Sequence, residues 1–134
     1  MHVELVSVER PIWSGEATMV LARTTEGEIG VLTGHAPLLG ELAPGFIVRI
    51  VRDGEPELRV AVHGGFLSVR EDGVSVLAEL AELADDIDVD RAREAYRQVE
   101  SDQSADGVAA RQRALARLRA VAKSGADLPS GVSA

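Results

Sequence analysis

The chain has 134 residues, with 14 basic and 22 acidic side chains and a formal net charge of −8. That length allows one domain, or one domain with an appendage, and the negative balance argues against a nucleic-acid binder, which needs clustered Lys and Arg for phosphates. There is no cysteine, hence no disulfide and no thiolate metal site, which fits a reducing compartment. No apolar run nears the ~20 residues of a membrane span, and the first residues show no basic n-region followed by an apolar core, so no signal peptide is expected there.

From the start to about Ala78 the turn signals come quickly: Ser14-Gly15, Glu26-Gly27, Gly34 to Pro37, Pro44-Gly45, Asp53-Gly54, Gly64-Gly65 and Asp72-Gly73. Strands separated by turns at such spacing predict an antiparallel β-sandwich of roughly eight to ten short strands. Alternation supports it. Leu58, Val60 and Val62 share one face, with Arg59, Ala61 and His63 on the other; Phe46, Val48 and Ile50 repeat the pattern, as do Val74, Val76 and Ala78. Gly64-Gly65 reads as a hairpin turn between two strands. Leu77 to Asp90 carries Glu79, Glu82, Asp85, Asp86, Asp88 and Asp90 with no basic residue, which reads as a solvated connector.

The hydrophobic period then changes. Val89, Ala92, Tyr96 and Val99 form one narrow helical stripe, with Asp88 as N-cap. After a polar loop over Ser101 to Gly107, a second stripe runs through Val108, Leu115, Leu118 and Ala122, with Ala114 and Val121 beside it. The prediction is an antiparallel two-helix hairpin. The fold class is thus α+β in two segregated parts: a β-sandwich over 1–84 and a hairpin over 85–124. The tail, 125–134, is expected to be disordered. Thin, alanine-rich stripes offer little area, at about 25 cal/mol per Å², so the hairpin needs something to dock on and is the part expected to move. Charge divides at the same place: residues 1–84 hold 6 basic and 13 acidic side chains, residues 85–134 hold 8 and 9.

Catalytic chemistry is hard to find. Gly34 is followed by His35 where a phosphate loop needs Lys, there is no G-x-S-x-G, and His2, His35 and His63 have no metal-ligand spacing. His35 reads as a turn residue bonded to backbone, His63 as a strand-end residue at a surface or subunit contact, and Trp13 as a packing residue. Arg113 and Arg117 lie i, i+4 on a flank away from Leu115 and Leu118, and Arg91 faces away from the first stripe. That set is either a solvated basic face or an anion site.

Two stretches carry a resemblance. G-E-x-G-x-L-x-G-H-A-P-L-L followed by P-G, from Gly27 to Gly45, and H-G-G-F-L-x-V, from His63 to Val69, resemble the epsilon subunit of the F-type proton-translocating ATP synthase of bacteria. So does Ile87-Asp88-Val89-Asp90-Arg91-Ala92, and the likeness runs from about Val3 to Lys123. It implies a non-catalytic rotor subunit of the central stalk, coupling proton flow through the membrane ring to ATP synthesis in the catalytic head. The implied partners are the gamma subunit, the membrane c-subunit ring and, through the hairpin, the alpha and beta subunits. The implied place is peripheral, on the cytoplasmic face of the plasma membrane. Gly30, Val31, Leu32, His35, Leu38 and Leu42 would face the ring or gamma. The hairpin would regulate ATP hydrolysis, and family members bind ATP there through an Ile/Leu-Asp-x-x-Arg-Ala motif. Ile87, Asp88, Arg91 and Ala92 match the motif, Glu82 stands at an upstream acidic position, and Arg113 and Arg117 align with the second-helix arginines. No cofactor is required; regulatory ATP, with Mg²⁺ left open, is the implied ligand. The competing reading from the residues is an autonomous small β-sandwich binding module or enzyme.

Overall fold

The computed structural model describes residues 1–134. Eight strands come first: β1 (His2–Ser7), β2 (Pro11–Glu16), β3 (Met19–Thr24), β4 (Gly27–Leu32), β5 (Leu38–Glu41), β6 (Ile47–Arg52), β7 (Glu55–Arg70) and β8 (Gly73–Leu83). A 3-10 turn at Ala84–Asp86 leads to α1 (Val89–Val99) and α2 (Ala105–Val121). The sheet order is β2-β1-β8-β7-β6-β3-β4, with β5 paired to β7. The pair β1 and β8 is parallel; the other pairs are antiparallel.

The alternation read from the sequence places the core. Val48, Ile50, Val60, Val62, Val74 and Val76 are buried in one cluster of 17 residues with Val3, Leu5, Val20, Val31 and Leu67. Phe46 departs from its predicted face: it lies outside that cluster, partly buried.

Two glycine signals are not turns. Ser14-Gly15 lies inside β2, with Gly15 paired to Val3; an added Cβ there would sit 2.7 Å from the Trp13 ring. Gly64-Gly65 lies in the middle of β7, not between strands. A Cβ on Gly65 would meet the Leu77 carbonyl oxygen at 2.1 Å and the Ala78 Cα at 2.7 Å, and φ there is +127°. Gly65 lets the β8 backbone approach, while Gly64 faces the Glu79 side chain. They also mark where β7 changes partner, from β6 over Glu55–Ala61 to β5 over Phe66–Val69, the bend by which a strand serves two layers.

The acidic connector is shorter than predicted. Leu77 to Leu83 continues β8 in register with β7, because Val76, Ala78 and Ala81 still face the core. Asp88 caps α1 by accepting from the Arg91 N–H at 3.1 Å. Ser104 caps α2 through the Gly107 N–H at 3.0 Å, so the second helix begins inside the predicted loop. The helices run antiparallel, with Ala92 near the start of α1 against Leu118 near the end of α2.

The face of α2 on the sheet is not the predicted stripe. Ala116 and Ala120 are buried against Ala61 of β7, while Val108, Leu115 and Ala122 are only partly buried. Small side chains on both surfaces let helix and sheet approach closely, at the cost of little apolar area. Gly125–Asp127 forms a 3-10 turn, and Leu128 packs with Ala92 and Leu118. No helix is long and apolar enough to cross a membrane.

Candidate functional site

Where α2 crosses β7 and β8, three ionisable side chains meet. Arg117 Nε donates to Glu82 Oε1 at 2.7 Å, and His63 Nε2 lies 2.8 Å from the same oxygen. His63 and Glu82 share one face of adjacent strands, since Ala61 pairs with Glu82 and His63 with Leu80. Burial pushes the Glu82 carboxyl up, but the hydrogen bonds from Arg117 and His63 and the Arg117 charge outweigh it and hold the group below the usual range. Burial pushes His63 down, the Arg117 and Arg113 charges add to that, and the Glu82 carboxylate only partly opposes it. His63 is therefore neutral at pH 7, with Nε2–H as the donor. It is no strand-end residue: it sits mid-strand with its side chain 8% exposed, covered by α2.

Beside this cluster lies a cavity of about 360 Å³ lined by Glu82, Asp86, Ile87, Asp88, Arg91, Ala92, Ala95 and Arg117. The end of β8 supplies Glu82, the first turn of α1 supplies Arg91 and Ala92, and α2 supplies Arg117. Arg91 has no carboxylate within ion-pair distance, so its guanidinium is open to an anion. Six of the seven residues proposed for nucleotide from the sequence line this one cavity. Arg113 does not. It is exposed one turn earlier on α2, and only its charge is felt, at His63. The volume falls in the lower part of the range of about 300–1,000 Å³ typical of small-molecule sites.

The residues proposed to face the ring divide. Val31 and Leu42 are 1% and 2% exposed, so they hold the core and offer no partner a surface. The pleat explains it: Val31 points inward on β4, and Leu32 beside it points outward at 59% exposed. Gly30 is exposed, His35 and Leu38 are partly buried, and Leu39 is 70% exposed. His35 Nδ1 lies 2.7 Å from the Ala36 carbonyl oxygen, a turn contact.

Two arginines that motif spacing did not single out fasten α2 to the sheet. Arg59 donates from Nε to the Ala120 carbonyl at 3.1 Å and from Nη2 to the Arg119 carbonyl at 2.9 Å. It thus satisfies carbonyls that a helix C-terminus leaves open, where positive charge is favoured. Arg119 donates from Nη1 to the Gly45 carbonyl and from Nε to the Ser133 carbonyl, with its guanidinium 4.2 Å from the Phe46 ring centroid. A signal for Arg59 existed, because it lies on the strand face opposite Leu58 and Val60; which helix end covers that face is not local information.

The family model for the ATP synthase delta/epsilon chain β-sandwich domain matches residues 1–84. The ATP synthase epsilon chain of Streptomyces griseus subsp. griseus is 54% identical over 122 residues, covering 91% of this chain and 95% of the relative. The chain belongs to the ATP synthase epsilon family. The epsilon chain of Thermobifida fusca is 53% identical over 124 residues, covering 90% of each chain. A chain in the Euglena gracilis mitochondrial ATP synthase OSCP/F1/c-ring assembly matches with TM-score 0.68 and 28% identity, over 85% of this chain and 72% of that one. A chain from the Tetrahymena thermophila mitochondrial ATP synthase central stalk and c-ring matches with TM-score 0.53, over 84% of this chain and 87% of that one; at 17% identity it speaks for the fold alone. As an epsilon subunit the chain is a structural part of the ATP synthase and is not a catalyst by itself.

Proposed function

We propose that this epsilon chain is a rotor element. Its sandwich is gripped by the gamma subunit and seated on the c-subunit ring, at the cytoplasmic face of the plasma membrane, and its hairpin controls ATP hydrolysis by the catalytic head. The exposed Leu32 and Leu39 at the two sides of the Thr33–Pro37 turn region suit the ring-facing role. A stiff sandwich with a core of 17 buried residues suits the transmission of torque.

The hairpin is a two-position device in this reading. Docked on the sheet, as here, it permits rotation; extended along gamma toward the alpha and beta subunits, it blocks rotation in the hydrolysis direction. ATP in the 360 Å³ cavity favours the docked form. One observation carries this: the cavity takes its walls from β8, α1 and α2 together. A ligand touching all three loses contacts when the helices leave, so its affinity differs between the two positions, and only such a difference shifts an equilibrium. Arg91 and Arg117 would meet the phosphates, Glu82 and Asp88 the polar edges of the base or ribose, and Ile87 and Ala92 the apolar surface.

Calorimetry of the full chain with MgATP tests the site. Arg91→Ala and Arg117→Ala should each remove a binding step seen with the unaltered chain; a titration that both substitutions leave unchanged overturns the assignment. Removing residues after Ala84 from the assembled complex tests the regulation. Assembly should persist and hydrolysis should change; unchanged hydrolysis refutes the regulatory role.

A further inference from the structure

A second and larger cavity, about 430 Å³, opens at the other end of the interface between helix and sheet, and shares no lining residue with the first. Arg23, Arg49, Arg59, Arg119 and Lys123 converge on it, and Glu28 is the one acidic side chain that lines it. This concentration of cations occurs in a chain of net charge −8. Two of the five are matched: Arg49 grips Glu57 through Nε and Nη2, and Arg59 shares that carboxylate at 2.9 Å. Arg23, Arg119 and Lys123 have no carboxylate within ion-pair distance.

Arg119 is the unusual member. It is 8% exposed, and a buried cation without an anion is costly. Burial and the neighbouring Arg23 both push its pKa down. The two guanidiniums lie 4.2 Å and 4.8 Å from the same Phe46 ring centroid, so the aromatic ring spaces two like charges around one opening. Arg119 spends Nε and Nη1 on the Ser133 and Gly45 carbonyls, which leaves Nη2 for a further acceptor.

We propose that this cleft binds a small multivalent oxyanion of the phosphate class, held by Arg23 and Arg119 and fastening the end of α2 to the β3–β4 side of the sandwich. Guanidinium forks match phosphate oxygens in pairs, and the ligand bridges strand and helix, so it stabilises the docked hairpin. The source is either a free inorganic anion or the phosphates of a nucleotide. The site does not depend on the Arg91 and Arg117 cavity.

The test is calorimetric titration of the full chain with pyrophosphate, and separately with ATP, at about 0.15 M salt, where weak surface attraction is screened. Pyrophosphate should bind saturably, about tenfold more weakly in Arg23→Gln, and with unchanged affinity in Arg91→Ala. Arg23 is exposed, so its replacement leaves the core intact; circular dichroism matching the unaltered chain confirms that. Arg119→Lys, which keeps the charge but not the fork, should also weaken binding. ATP uptake by Arg91→Ala that is lost in the Arg23→Gln, Arg91→Ala double variant assigns the site to nucleotide phosphates; pyrophosphate uptake alone assigns it to the inorganic anion. No saturable binding, binding indifferent to Arg23→Gln, or binding lost in Arg91→Ala overturns the proposal.

Discussion

Arg117 on α2 donates to Glu82 on β8 at 2.7 Å, with both side chains about one-quarter exposed. This ion pair ties the hairpin to the sandwich at the one point where Glu82 also receives His63. Partly buried, charge-assisted bonds of this kind contribute about 1–2 kcal/mol. Arg117→Ala should raise amide exchange along α2 while the core strands stay protected. A double-mutant cycle with Glu82→Ala should show coupling, since each residue's loss removes the same bond. Additive effects would mean the pair does not hold the helix.

The same cluster sets a pH dependence. His63 is depressed in the folded chain below its ordinary 6.5, so the unfolded chain takes up a proton first as pH falls. Stability present above 6.5 is therefore lost as pH falls from there toward the folded value. Glu82 is also depressed, from 4.5, and its contribution is lost as pH falls from 4.5 through the folded value. Urea midpoints measured from pH 8 down to about pH 2.5 should decline in two stages. His63→Gln should remove the upper stage and leave the lower one; an unchanged upper stage would assign it to another group.

Gly65 should tolerate no side chain. Gly65→Ala places a Cβ 2.1 Å from the Leu77 carbonyl oxygen, at φ +127°. Gly27→Ala faces almost the same φ, +128°, with nothing within 4 Å. The strain common to both is worth about 1–3 kcal/mol, and the clash belongs to Gly65 alone. Thermal melts should show Gly27→Ala modestly destabilised and Gly65→Ala far more so, or unfolded. Equal losses would show that β8 yields freely.

Arg59 closes the end of α2 by donating to the Ala120 and Arg119 carbonyls. Arg59→Ala exposes those carbonyls and removes a cation from a helix C-terminus, a loss of about 1–3 kcal/mol. Hydrogen exchange should rise in the last turn of α2 first, and a cross-link between engineered cysteines at Ala61 and Ala120 should form more slowly. Arg59→Lys keeps the charge without the fork and should fall between the two.

Much of the sandwich was legible because the pleat writes itself into alternation: Val48 and Ile50, Val60 and Val62, and Val74 and Val76 all reached the core. Two glycine signals misled for one reason. A glycine needed for close approach, such as Gly65 against Leu77 or Gly15 against Trp13, looks in sequence like a glycine needed for a turn. Val31 and Leu42 were placed at a surface because a motif records spacing without recording which way the chain faces. The α2 stripe was legible in part: Leu118 and Ala114 are buried, but leucine signals burial more strongly than alanine, and it is Ala116 and Ala120 that meet the sheet. Of the residues proposed for nucleotide, Ile87, Asp88, Arg91 and Ala92 lie within six consecutive positions, and the fold brings Glu82 and Arg117 to the same cavity.

Local chemistry alone determined the strand-then-helix order, the Asp88 cap and the inward faces of the strands, since each depends on neighbours a few residues apart. Tertiary structure decided which side of the sheet α2 covers, that His63 is buried and neutral, and that Arg23 and Arg119 share one aromatic ring. Those facts depend on residues as much as 96 positions apart being brought within a few ångströms, and no periodicity in a chain encodes such distances.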